Sequence, residues 1–163
     1  MKIVICGNYG ANNIGDEMIL EGLLTSLKEV NKDFDVTVLS GNPDQTRKKH
    51  RINSEEKFPS GIKSFIKSIL TKTNTKKIVK KCDYFILGGG GLFGSLSFKA
   101  NLIWGIQALK AYSMGKKVIM YGQSIGEITC PISRWLVKKI FNKAHLIVVR
   151  DQKSKDRLKS LGI

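Results

Sequence analysis

The chain has 163 residues and a mass of 18.2 kDa, enough for one domain and short of two. With 42% hydrophobic and 25% charged residues it is neither disordered, nor collagen-like, nor a disulfide scaffold. Lys and Arg number 28 against 13 Asp and Glu, a net +15, and 23 of the 28 are lysines, so the excess favours diffuse attraction to anions over an Arg-lined phosphate reader.

The elements follow in chain order. Lys2 to Cys6 is a continuous apolar run, expected of a strand buried on both faces. It enters that pattern at the N-terminus without a signal-peptide n-region and cleavage site, and no stretch reaches the ~18 to 20 apolar residues that cross a bilayer. Asp16 to Val30 places Leu20, Leu23, Leu24 and Leu27 on one helical face, and Asp35 to Leu39 is a second buried strand. Asn42 to Lys81 is the least regular region and holds most of the net charge. Within it, Ile62, Phe65, Ile66, Ile69 and Leu70 fall at amphipathic-helix spacing with Lys63 and Lys67 on another face. Tyr84 to Leu87 is the third strand, Phe98 to Met114 a helix, Lys117 to Tyr121 the fourth strand, Ile132 to Asn142 a helix, and Leu146 to Val149 the fifth strand. Asp151 to Leu161 closes the series as a polar-faced helix with Gly162 as its stop. Alternation of this kind needs crossover connections, which predicts an α/β, Rossmann-like open and mostly parallel sheet with helices on both faces. Cys6, Cys82 and Cys130 are odd in number and widely spaced, which points to free thiols in a reducing cytoplasm.

In such a sheet ligands sit beyond the carboxyl ends of the strands, so the loops there are the places to search. The first, Gly7 to Glu17, opens the first helix. Gly7, Gly10 and Gly15 lack GxGxxG spacing, and Asp16 and Glu17 stand where a P-loop carries Lys and Ser or Thr, so dinucleotide and triphosphate readings are poor. Two ionised carboxylates suit hydroxyl groups, as acceptors or as bases. They equally suit the first turn of a helix capped by Asn13; Gly7, Gly10, Asn12 and Asn13 are candidate substrate-binding residues of this loop, the two asparagines being equally suited to turns. The second loop, Gly88-Gly89-Gly90-Gly91-Leu92-Phe93-Gly94, suits close approach of backbone to a ligand at Gly89, Gly90 and Gly91. The third, Tyr121 to Ile128, brackets Gln123 and Ser124 between Gly122 and Gly126, polar groups that donate and accept as a saccharide or carboxylate ligand requires. Arg150 follows the last strand, either to hold an anion or as a member of a structural ion pair, with Asp151 at or near the N-cap of the helix that follows. His50 and His145 have no metal-ligand spacing, and no serine elbow, CxxC or HExxH is present, so no metal site is expected.

Four blocks, Gly7-Asn8-Tyr9-Gly10 to Asp16-Glu17, Gly88 to Phe93, Tyr121 to Gly126, and Arg150-Asp151 with Ser154 and Leu158 to Gly162, resemble in that order the N-terminal half of polysaccharide pyruvyl transferases. The resemblance covers nearly the whole chain. It implies one half of a GT-B-like, two-domain enzyme, residues 1–163 forming the N-terminal domain and a C-terminal donor-binding domain lying outside them. It implies transfer of a pyruvyl group from phosphoenolpyruvate, as donor substrate and without a cofactor, to hydroxyls of a cell-wall or exported polysaccharide or its lipid-linked precursor. The product is a pyruvate ketal. Asp16, Glu17 and Arg150 match residues implicated in catalysis or acceptor binding, and this chain alone is expected to be inactive. The positive charge then serves either a peripheral association with the inner, anionic membrane surface or plain solvation of a Lys-rich face. The alternative is a non-catalytic, basic anion- or nucleic-acid-binding module, but only Phe58 and Phe65 supply aromatic rings between Arg47 and Lys81, and no specific nucleic acid is expected.

Overall fold

The computed structural model describes residues 1–61, 74–94 and 98–163. The helix expected over Ile62 to Leu70 lies outside the described residues. The elements are β1 (Lys2–Cys6), α1 (Ile14–Val30), β2 (Asp35–Ser40), α2 (Pro43–His50), β3 (Asn53–Glu56), α3 (Thr75–Lys81), β4 (Tyr84–Leu87), β5 (Gly90–Phe93), α4 (Phe98–Ser113), β6 (Lys117–Ile125), α5 (Pro131–Phe141), β7 (Leu146–Val149) and α6 (Gln152–Ser160).

Among the described residues seven strands form one sheet, and every pairing is parallel. On β6, Ile119 pairs with Ile86 of β4 on one side and Leu146 of β7 on the other; further along, Gln123 pairs with Gly90 and Val149. β5 therefore prolongs the line of β4 along the same edge of β6, and the spatial order is β3-β2-β1-β4/β5-β6-β7. That is a doubly wound order whose direction reverses between β1 and β4, leaving a crevice beyond their carboxyl ends.

Residue alternation divides the core. Ile3, Ile5, Val36, Val38 and Ile86 face α1, which buries Leu20, Leu23 and Leu24 against them. Val4, Cys6, Phe85, Leu87, Val118 and Met120 face the other layer, built from Val79 of α3, Trp104, Ala108 and Ala111 of α4, Leu136, Val137 and Ile140 of α5, and Leu158 of α6. Each fully buried Leu or Ile contributes about 1.5–3 kcal/mol by leaving water, and the strands are apolar on both sides because both sides are covered.

The structure corrects the sequence reading at three places. The irregular stretch 42–81 contains α2, β3 and α3. Asn42 caps α2 by accepting from Gln45 N–H, Pro43 opens it, and Arg51 ends it at φ 51°, cues too short and too charged to show an apolar period. The tetraglycine segment is half strand, because Gly90 to Phe93 adds to β6 as β5. The first part of the third loop is also strand, β6 running on to Ile125 through a register shift between Met120 and Gln123, where Gly122 has φ 63°. The C-terminal stop is as expected: Gly162 has φ 74° and Ile163 N–H returns to Leu158 O.

Candidate functional site

All strands among the described residues being parallel, the loops after β1, β4/β5, β6 and β7 emerge at one edge, and the first three of them touch one another. A Cβ on Gly90 would lie 2.7 Å from Asp16 Oδ1, joining the first loop to the second. One on Gly94 would lie 3.0 Å from Gly126 Cα, joining the second to the third, and Gly126 N–H donates to Phe93 O at 2.9 Å. Gly90 is at φ 100°, a conformation side chains resist, so glycine here is demanded both by backbone and by the carboxylate above it.

The first loop wraps a buried aromatic. Tyr9 is fully buried on the α1 face, and a Cβ on either Gly7 or Gly88 would collide with its ring or hydroxyl. Gly7 is thus occupied by the protein's own packing. The Tyr9 hydroxyl has no hydrogen-bond partner among the described residues, and burial pushes its pKa up, with Cys6, Asp16 and Glu17 adding to the shift. Gly10, at φ 69°, brings the loop against the β2–α2 turn: Gly41 N–H donates to Tyr9 O at 2.9 Å, and Ser40 Oγ lies 3.2 Å from the same carbonyl and 2.7 Å from Thr46 Oγ1. Asn12, at φ 58°, accepts from Gln45 Nε2 at 2.7 Å, and Asn13 is the N-cap of α1, accepting from Gly15 and Asp16 N–H. Both asparagines therefore build the loop.

The two carboxylates differ. Glu17 is engaged at both oxygens: Oε1 accepts from Gly10 N–H at 2.8 Å, and Oε2 lies 2.7 Å from His50 Nε2 with Lys49 Nζ at 3.7 Å. His50 Nδ1 is 2.6 Å from Glu21 Oε2, so the imidazole is held between two acids, buried at the junction of α1 and α2. Burial raises the Glu17 pKa, but the His50 and Gly10 hydrogen bonds and the charges of Lys49 and His50 outweigh it and hold the carboxyl below its ordinary value. Asp16 accepts at Oδ2 from Asn8 Nδ2 at 2.8 Å, while Oδ1 faces Gly90 with no donor among the described residues. One acid is a strut; the other looks into the crevice.

Lys57, a residue the sequence reading left in the diffuse charge, enters the same crevice. Its ammonium lies 5.0 Å from the centre of the Trp104 ring and near Gly41, and interacts with the charge of Asp16. Burial lowers its pKa, with Cys6 and Asp16 opposing. Burial pushes the Cys6 thiol up to about 12, so it is an inert core group.

On the β6–β7 side the candidates are more scattered. Gln123 is fully buried and donates its amide to Leu87 O at 2.8 Å and Gly88 O at 3.4 Å, while its Oε1 has no partner among the described residues. A Cβ on Gly89 would meet Ile19 and Gly122 O, so Gly89 serves packing, whereas Gly91 faces open space. Ser124 is half-buried in β6. Arg150 is exposed, with Nε 3.6 Å from Asp151, which caps α6 by accepting from Ser154 N–H at 2.7 Å. A cavity of about 310 Å³ beside Gly126 is lined by Arg134 and Arg157, and Arg157 donates to Ile125 O at 2.6 Å. No group of three metal-ligating side chains occurs among the described residues.

Two buried amides of α4 went unnoticed in the sequence. Gln107 clamps Phe58, accepting from its N–H at 3.0 Å and donating to its carbonyl at 2.9 Å, and Asn101 clamps Gly94 in the same way. Amides in the apolar helix pattern Phe98 to Met114 were the available clue.

The family model described as polysaccharide pyruvyl transferase matches residues 13–163. The chain belongs to the polysaccharide pyruvyl transferase family. Within that family, the amylovoran biosynthesis protein AmsJ of Erwinia amylovora is 24% identical over 192 aligned positions, covering 100% of this chain and 46% of the relative. The chain thus spans about half the length of the curated relative it matches. Among solved structures, a CMP N-glycosidase, BcmB, of Clostridium botulinum has a TM-score of 0.46 at 19% identity, each chain covered in full. The TrkA-N domain of the inner membrane protein ybaL of Escherichia coli has a TM-score of 0.44 at 12% identity, with 97% of this chain and 94% of that one covered. The matched span of this pyruvyl transferase family chain begins at the N-cap of α1 and contains both carboxylates of its first turn.

Proposed function

We propose that this chain is the acceptor-side half of a transferase that moves a pyruvyl group from phosphoenolpyruvate onto hydroxyls of a polysaccharide or its lipid-linked precursor. The observation that carries this reading is Asp16, a carboxylate with one oxygen anchored by Asn8 and the other turned toward Gly90 at the switch point, in a chain of the pyruvyl transferase family. AmsJ, named for amylovoran biosynthesis, supports a polysaccharide product.

In the proposed reaction the donor's methylene carbon takes a proton, and an acceptor hydroxyl adds to C2 as Asp16 removes its proton. Phosphate leaves with the C–O bond electrons, and a second hydroxyl closes the ketal, releasing its proton. The sum is one phosphoenolpyruvate and two hydroxyls giving one ketal and one phosphate. Asp16 fits the base because a carboxylate within reach of the hydroxyl is an acceptor, whereas Glu17 has both oxygens committed. The acid and the donor-binding wall are assigned to the part of the protein outside this half. A position at the inner membrane face belongs to this reading as well: no helix among the described residues is long and apolar enough to cross a membrane, and a peripheral contact suits a lipid-linked acceptor.

The nucleic-acid alternative is weakened by where the basic residues point. Arg47 is bonded to Asp44 and Ser54 O, Lys49 reaches Glu17, and Lys57 lies over Trp104. The test is acceptor-dependent release of phosphate from phosphoenolpyruvate by the native protein that carries these residues, with ketal detected on the acceptor by NMR. No release with any acidic or neutral saccharide, together with oligonucleotide binding that persists at physiological salt, would replace the transferase by the binding module.

A further inference from the structure

We infer that Lys57 is an anion-binding residue of the switch-point crevice, taking the carboxylate or phosphate of a ligand whose hydroxyl faces Asp16. Three observations carry it. Lys57 is half-buried, yet no carboxylate among the described residues comes within ion-pair distance of its ammonium, and the sequence of residues 62–73 and 95–97 contains no Asp or Glu. An ammonium removed from water without a counter-charge is costly, and such a group is kept where a ligand supplies the charge.

Its placement is also imposed. Gln107 grips the N–H and carbonyl of Phe58 on one side, and Thr75 Oγ1 donates to Glu56 O at 2.6 Å on the other, so the two residues flanking Lys57 are both tied at the main chain. Residues 56–58 are therefore a fixed bracket, and the lysine it presents has its ammonium over the Trp104 ring and beside Gly41. A Cβ on Gly41 would lie 3.6 Å from Nζ, so glycine leaves the approach to the ammonium open at that point.

Finally, Lys57 and Asp16 interact electrostatically across the crevice without forming a salt bridge. A hydroxyl acceptor and an anion receptor set apart in this way recognise a bifunctional ligand. On the transferase reading, on which the assignment to donor or acceptor rests, the anion is either the donor's phosphate or carboxylate, or an acidic group of the acceptor saccharide. Oxyanion binding itself needs no transferase activity, so the two ideas fail separately.

Trp104 provides the readout. In a Trp135→Phe background it is the only tryptophan, and its fluorescence is titrated at constant ionic strength with inorganic phosphate, phosphoenolpyruvate, glucuronate and glucose, chloride serving as the control salt. Lys57 predicts a saturable change with the oxyanions, none with glucose or chloride, and at least tenfold weaker binding in Lys57→Met, with Lys57→Arg partly restoring it. Tighter binding of phosphoenolpyruvate than glucuronate assigns the donor; the reverse assigns an acidic acceptor. If Lys57→Met fails to fold, amine labelling of the unsubstituted protein answers the question: phosphate must slow labelling of Lys57 while leaving exposed Lys48 unchanged. Equal oxyanion affinity in Lys57→Met, no saturable oxyanion response, or labelling of Lys57 indifferent to phosphate would each overturn the proposal.

Discussion

The carboxyl edge of this sheet has two unlike sides. Around β1, β2 and α2 several groups are held by partners distant in sequence, Glu17 by His50, Asn12 by Gln45, Tyr9 O by Gly41 and the Lys57 bracket by Gln107, while Asp16 is held by Asn8 of its own loop. Around β6 and β7 the corresponding side chains are spent on a main-chain carbonyl, as Gln123 is on Leu87 O of β4, or on the next residue, as Arg150 is on Asp151. The difference teaches that a strand-end loop becomes a chemical site through side chains that arrive from elsewhere. Polar residue types in the loop are insufficient.

The largest effect that would sharpen this comparison is at Asp16. Removing a positioned base costs typically about 10²–10⁴-fold in rate, so Asp16→Asn in the native protein is expected to lose transfer by that order while keeping its unfolding temperature. Steady-state phosphate release and a thermal melt check both halves of the statement.

Next comes Gly90. An alanine there would be strained at φ 100° and would press on Asp16 Oδ1. Gly90→Ala should lose about 1–3 kcal/mol of stability and most activity, whereas Gly91→Ala, which faces open space, should leave both nearly unchanged. Urea unfolding of the two variants side by side decides it.

His50 tests the strut. Breaking a buried pair by removing one partner typically costs about 3–5 kcal/mol, so His50→Ala is expected near that range by chemical denaturation. Arg150→Ala, whose partner contact is exposed, should cost less than about 1 kcal/mol. Equal losses at the two positions would erase the distinction between the two sides of the edge.

The smallest effect is a pH dependence. Glu17 has a folded pKa below its ordinary value, so as pH falls the unfolded chain takes up this proton first. The stabilisation is complete above the ordinary carboxylate range near 4.5 and disappears as pH drops through the lower, folded value. Melting temperatures between pH 6 and pH 3 should therefore decline less steeply in Glu17→Gln, from a lower plateau, than in the unsubstituted protein.

Much of the architecture was legible because parallel strands covered on both faces must be apolar on both, as Ile3–Cys6 and Phe85–Leu87 are; Leu146–Val149 is equally apolar and was read as buried, but Leu146 and Val148 are exposed. The helices α1, α4 and α5 announced themselves by their stripes. β3, with sequence Asn-Ser-Glu-Glu, did not, since an edge strand after a charged helix carries no apolar run. Neither did β5, two of whose four residues are glycines. At the site, the acidic pair and the glycine loops could be picked out by position after strands. The division of labour between Asp16 and Glu17 could not, because it depends on His50, 33 residues away from Glu17, and no local spacing records such a contact. Lys57 was hidden for the same reason: one lysine among 23, distinguished only by where Gln107 and Thr75 hold it.

The central claim is that the base is Asp16 and that Glu17 is structural. It is tested most directly by measuring acceptor-dependent ketal formation from phosphoenolpyruvate by Asp16→Asn and Glu17→Gln in the native protein, at a temperature where circular dichroism shows both folded. The account predicts that Asp16→Asn is inactive with an unshifted melt, and that Glu17→Gln melts earlier but retains measurable turnover while folded. Full turnover in Asp16→Asn, or complete inactivity of a folded Glu17→Gln with an unchanged melting temperature, would contradict it.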